Sequence, residues 1–168
     1  MKIYITWPAG SGKSTLAQQL SKKLRIPVIH LDELLWKIDW TENPHYKKLQ
    51  EEAIQRPSWI IEWPSCSIIQ SMPNVDTIII LDYPPFWNIW RILLRRLKSF
   101  LGRKRIGMIL LDTLSIEFIR KTLTWRKRQL PRLLENIKKA WLSNRLIILR
   151  SFQKHPKLEF KPGKSSIP

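Results

Sequence analysis

Nine consecutive residues, Trp7 to Thr15, read WPAGSGKST. From Pro8 onward they fit the pattern G-x-x-x-x-G-K-[ST], in which a small-residue turn wraps its backbone N–H groups around a phosphate. Amides from Ala9 through Gly10, Ser11, Gly12, Lys13 and Ser14 would curl around a β-phosphate at the start of a helix whose dipole favours an anion. Lys13 would bridge β- and γ-oxygens, Ser14 would ligate Mg²⁺, and Thr15 would reach the α-phosphate. Pro8 to Thr15 is therefore read as a nucleoside triphosphate site. Trp7 stands where the pattern has glycine, and two geometries are open to it. A positive φ would cost on the order of 1–2 kcal/mol and bring the indole into the cradle, whereas a β-region φ would turn the ring onto apolar neighbours.

Phosphoryl transfer needs positioning and charge neutralisation more than covalent chemistry, so carboxylates and arginines should follow the loop. Asp32, Glu62 and Asp82 each end an apolar run and so fall at the sheet edge where open α/β sheets bind ligands. Asp82 suits an outer-shell role on Mg²⁺ with Ser14. Asp32 is read as the group that orients or deprotonates an acceptor hydroxyl, with a plain helix N-cap as the alternative. Glu62 faces the acceptor side. His30, His45 and His155 are too scattered for a metal site and are assigned no role. Cys66 is alone, reads as a small buried hydrophobe, and fits a reducing cytoplasm.

The elements that must position these residues are legible in outline. Lys2–Thr6 is a short β-rich strand, and Lys13–Leu24 carries apolar Leu16, Ala17, Leu20 and Leu24 at helical spacing. Strands are expected at 27–31, 59–62, 75–81 and 146–149. The run 75–81 is nearly continuous and β-branched, so it is read as the central strand. Helices are expected at 46–55, 88–101 and 115–141, the last two separated by 102–107 (GRKRIG). Trp36, Trp40, Trp87 and Trp90 are read as core or pocket wall. Strands alternating with helices predict a parallel α/β sheet with right-handed crossovers. Residues 1–150 are read as one domain and 151–168 as a basic, mobile tail.

The 168 residues carry 43% hydrophobic and 26% charged side chains, without an apolar run near the roughly 18 residues that span a bilayer. A soluble protein with no membrane partner is expected. The net charge of +17 is uneven: residues 91–168 hold 21 Lys+Arg against 4 Asp+Glu, and residues 1–90 hold nine of each. Such a half should meet phosphate, whether that of a nucleotide or of a nucleic-acid backbone.

The opening MKIYIT, then PAGSGKSTLAQQLSKKL, IPVIHLDELLW, WIIE, and VDTIIILDYP before an arginine-rich helix together resemble the P-loop kinases related to adenylate kinase. Within them the order of pieces is similar to the small bacterial topology modulation (FlaR-like) proteins, over residues 1 to about 150. The resemblance implies a three-layer α/β fold with a five-stranded parallel sheet, ATP as donor, and an arginine-bearing lid. By analogy with such lids, Arg126 and Arg128 beside Trp125 would contact the transferring phosphate, with Arg120, Arg132, Arg91, Arg95 and Arg96 as further cations. The family has glycine at both Trp7 and Trp63. The function expected is an ATP-dependent small-molecule or nucleotide kinase. The alternatives are a basic nucleic-acid-associated protein on a kinase-like scaffold, or a kinase-like chain whose nucleotide binding Trp7 impairs.

Overall fold

The structure, a computed structural model, describes residues 1–37, 41–63, 67–72, 74–100 and 116–150. The expected break at 102–107 and the basic tail lie outside the described residues, as do Trp40, Cys66 and His155. Five strands, β1 (Lys2–Thr6), β2 (Val28–His30), β3 (Trp59–Glu62), β4 (Thr77–Leu81) and β5 (Leu146–Leu149), form one sheet in the order β2-β3-β1-β4-β5. Every pairing is parallel, as the alternation of strands and helices requires. The central strand is β1 rather than β4. β4 is also interior, and its Ile78, Ile79, Ile80 and Leu81 are all buried, which accounts for its continuous apolar run without making it the centre.

Helices α1 (Lys13–Leu24), α2 (Leu31–Leu35), α3 (Tyr46–Gln55), α4 (Pro85–Phe100) and α5 (Ile116–Lys139) connect the strands. α1 buries Leu16, Ala17 and Leu20, three of the four positions its spacing predicts, and ends at Arg25, a left-handed C-cap whose N–H returns to the Ser21 carbonyl. This is the backbone conformation that terminates many helices, adopted here without glycine.

Two helix boundaries differ from the sequence reading. α4 starts three residues early because Pro85 at its first position lacks only an N–H that would have had no partner in the helix. The second strand ends at His30, and Leu31 already belongs to α2. Asp32 is consequently in the first turn of α2, and His30 holds the cap position without a side-chain cap bond.

Candidate functional site

Parallel pairing fixes which strand ends lie together. In register, His30 is opposite Glu62 and Ile5 is opposite Glu62 across the other edge of β3. The carboxyl ends of β2 and β3 therefore stand beside the loop that leaves β1. This is the edge where open α/β sheets bind ligands.

The loop has the geometry of a phosphate cradle. Gly10 and Gly12 adopt φ of +79° and +91°, a region that other residues enter only with strain. Gly12 caps α1 without a side-chain bond, which leaves the helix N-terminal amides available to an anion. A Cβ on Gly10 would lie 2.3 Å from the Asn88 carbonyl oxygen of α4, so the helix presses directly on the loop. One turn further along α4, the Arg91 guanidinium reaches the Ser11 carbonyl at 3.5 Å and stands 3.2 Å from where a Gly12 Cβ would be. Lys13 Nζ donates across the loop to the Pro8 carbonyl at 3.3 Å.

Trp7 takes the second of the two geometries open to it. Its φ is not among the positive values of the described residues, which belong to Arg25 and Trp141 outside the glycines. The ring is 1% exposed and packs on Trp125 of α5, with ring centroids 4.0 Å apart at 57°. The indole thus joins the core, where its Nε1 lacks a partner. Trp63 extends β3, its N–H donating to Ile5 and its carbonyl accepting from the Tyr4 hydroxyl at 3.2 Å. Its ring lies 6.2 Å from that of Tyr46.

Glu62 is the hub of the acidic side. Its side chain is 3% exposed, and Oε1 accepts from Ser14 Oγ at 2.9 Å and from His30 Nδ1 at 2.8 Å. Burial pushes its carboxyl up, but the His30 hydrogen bond, the Lys13 charge and the Ser14 hydrogen bond outweigh this and leave it below the ordinary range. The Glu62 hydrogen bond raises His30 above its ordinary value, against the opposing effect of burial. Asp32 is raised, first by burial and then by Glu62 and Glu33, with Lys13 and His30 opposing. Lys13 therefore sits in the field of both carboxylates, between the loop and the acceptor side.

Asp82 makes a different set of contacts. Its buried carboxylate pairs with Arg126, Nη2 donating to Oδ2 at 3.2 Å and Nε standing 3.2 Å from Oδ1 without a hydrogen bond, and Arg150 Nε lies 3.8 Å from Oδ2. Ser14 and Asp82 are not brought together by any described contact. Arg128, Arg120 and Arg132 are exposed on α5. Of the tryptophans expected to be core or pocket wall, Trp87 and Trp90 are not core but wall an open apolar groove on α4 with Phe86, Ile89 and Leu93.

Sequence reasoning missed His30 and underrated Arg91. His30 carried a signal, since it ends a strand at the same edge as Glu62. Arg91 carried none beyond its helix, because its reach depends on how α4 lies across the loop.

The residues fit a bound polyphosphate and its metal on grounds internal to the structure. Around the loop, Ser11 Oγ, Thr6 Oγ1, Glu62 Oε2 and both polar atoms of the wholly buried Asn88 amide lack hydrogen-bond partners. Buried polar atoms of this kind are ordinarily satisfied. Their concentration at one sheet edge, with Lys13, Arg91 and an uncapped helix, matches the chemistry of phosphate and a hard cation.

No protein-family profile matches the chain, and no curated protein matches its sequence. Solved structures match its fold. Shikimate kinase from Acinetobacter baumannii in complex with shikimate is similar at 17% identity, covering 80% of this chain and 79% of that one, with a TM-score of 0.53. Shikimate kinase from Bacteroides thetaiotaomicron matches at 17% identity over 80% and 82%, TM-score 0.51. TT1252 from Thermus thermophilus matches at 17% identity over 90% and 88%, TM-score 0.51. The chain has the three-layer α/β fold of the P-loop kinases.

Proposed function

We propose that the chain is an ATP-dependent phosphotransferase acting on a small-molecule acceptor, and that it binds ATP and Mg²⁺ through Pro8–Thr15. The observation that carries this reading is the position of Lys13, held across a left-handed glycine loop and within the field of Asp32 and Glu62. Kinase neighbours in fold space add to it.

In this reading the loop amides and the start of α1 bind the phosphates, and Lys13 neutralises charge between β- and γ-oxygens. Arg91 adds a second cation beside Gly12. Ser14 and Glu62 hold Mg²⁺, with Glu62 in the outer-shell place that the strand ends suggested for Asp82. The metal supplies charge neutralisation at the transferring phosphoryl group. Asp82 serves to hold Arg126 at the start of the site, and Arg128 contacts phosphate from α5. Asp32, whose carboxyl is shifted towards neutrality, takes the proton of the acceptor hydroxyl as its oxygen bonds to the γ-phosphorus and the bond to the β–γ bridging oxygen breaks. ADP leaves with that oxygen. Trp7 leaves the cradle open because its ring is committed to Trp125.

The test is calorimetry with MgATP, followed by a screen of nucleosides, nucleotides and sugars with labelled ATP, each repeated with Lys13→Ala. Binding and transfer that vanish in the variant support the reading. Absence of MgATP binding by the unaltered chain overturns it.

A further inference from the structure

The acceptor side is acidic in a strongly basic chain. Residues 28–73, from β2 to the segment after β3, hold seven Asp+Glu and four Lys+Arg, while the whole chain carries +17. Those four cations, Lys37, Lys47, Lys48 and Arg56, are all exposed. The acids at the sheet edge are different: Glu62 is almost wholly buried, Asp32 is half-buried beside it, and Glu33 adds its charge to the same place. Among the described residues, the cations bearing on these carboxylates are Lys13, which faces the loop, and His30.

Such a site repels an anion. A carboxylate or phosphate on the acceptor would need a cation of its own, typically a forked arginine, and Arg56, the one arginine in this segment, is exposed. MgATP does not change the sign, because its phosphates outweigh the two charges of the metal. Glu62 Oε2 is buried without a partner; with Mg²⁺ drawing on that carboxylate in the phosphotransferase reading, Asp32 and Glu33 carry most of the negative field left to an acceptor. Tyr46 and Trp63 stand as an aromatic pair at the same place, and the Asp32 charge is felt at the Tyr46 hydroxyl. Carboxylates beside aromatic faces are the surroundings that hold an ammonium group.

We propose that the acceptor is a cationic amino alcohol or amino sugar, its ammonium group held in the combined field of Asp32, Glu33 and Glu62 against Tyr46 and Trp63. This rests on the phosphotransferase reading. The amine is spectator and the hydroxyl is nucleophile: its proton passes to Asp32, its oxygen bonds to the γ-phosphorus, and ADP departs.

The experiment is calorimetry at low salt on the full chain with matched probes, namely glucosamine, glucose and glucose 6-phosphate, and ethanolamine beside ethylene glycol. MgATP binding is measured separately. Glucosamine or ethanolamine should bind on the order of tenfold tighter than its uncharged counterpart, and glucose 6-phosphate should bind weakest. Asp32→Asn should remove most of the preference for the amine, and the surface variant Glu33→Gln, which disturbs no packing, should reduce it about two- to threefold. Equal or tighter binding of glucose or glucose 6-phosphate overturns the proposal and leaves the kinase reading standing. Failure of both amines to bind at ~50 mM, far above ordinary substrate constants, also overturns it. Amine binding without MgATP binding would instead sink the kinase reading and keep the charge assignment.

Discussion

Trp7 and Trp125 pack ring to ring at 4.0 Å, which fastens the entry of the phosphate loop to the helix that carries Arg126 and Arg128. The contact is a piece of the core placed beside the candidate site. Both rings are buried, so the indole that replaces a glycine of the motif contributes to stability instead of filling the cradle.

Trp7→Gly should destabilise the fold by about 3–5 kcal/mol, the usual cost of emptying a buried aromatic site. Nucleotide affinity should change less than about threefold where the variant remains folded, since the ring faces away from the loop amides and only indirect effects of order a few tenths of a kcal/mol remain. Chemical denaturation and calorimetry read the two separately. A large gain in affinity with glycine would show that Trp7 obstructs the site.

Lys13→Ala and Ser14→Ala act on different partners. Loss of Lys13 should lower transfer by roughly 10²–10³-fold, the scale of removing one charge-stabilising group, and should raise Asp32 further and bring Glu62 back up from its lowered position by removing the cation that opposes burial. Ser14→Ala should raise the Mg²⁺ concentration needed for half-maximal rate. A metal titration of the three proteins checks this.

Asp32→Asn should cost about 10²–10⁴-fold in transfer rate and yet raise the midpoint of thermal unfolding. Burial holds the Asp32 carboxyl above its ordinary value of 3.8, so its ionised form opposes folding at neutral pH. An increase of on the order of 1–3 °C is the expected scale for a chain of this length. Scanning calorimetry at pH 7 would expose the idea as mistaken if the variant melted lower.

The His30–Glu62 pair should give stability a bounded pH range. His30 is raised in the folded chain, so its contribution is complete below its ordinary 6.5 and fades as pH climbs through the raised value. Glu62 is lowered, so its contribution is complete above its ordinary 4.5 and fades as pH falls through the lowered one. The pair is therefore worth most between those two ordinary values. His30→Gln should flatten the upper slope in denaturant midpoints measured from pH 4 to 9, against the wild type.

Arg126→Met should strand a buried carboxylate and cost about 1–3 kcal/mol. Asp82→Asn combined with Arg126→Met should recover most of it, because the amide carries no charge to leave unpaired. A double-mutant cycle measures the coupling. If Asp82 held metal alone, the two losses would simply add.

The fold was legible because it rests on local patterns: a strand, a glycine loop and a helix in Lys2–Leu24, and three further apolar runs that stop at or next to a carboxylate, Asp32, Glu62 and Asp82. What escaped was set by contacts distant in sequence. His30 gains its meaning from register with Glu62, 32 residues away. Asp82 looked like a metal acid from its strand, and only the approach of Arg126, 44 residues on, shows that its charge is already spoken for. Trp87 and Trp90 have helical apolar spacing, and the face they occupy walls an open groove instead of entering the core, since periodicity identifies a face and not its neighbour.

The 2.3 Å between a Gly10 Cβ and the Asn88 carbonyl alters what descent can preserve. Gly10 is held by the helix that crosses behind it, whether or not a nucleotide ever occupies the loop. A chain that never met nucleotide would still have to keep this glycine, so its presence among relatives would record the fold and not the proposed chemistry.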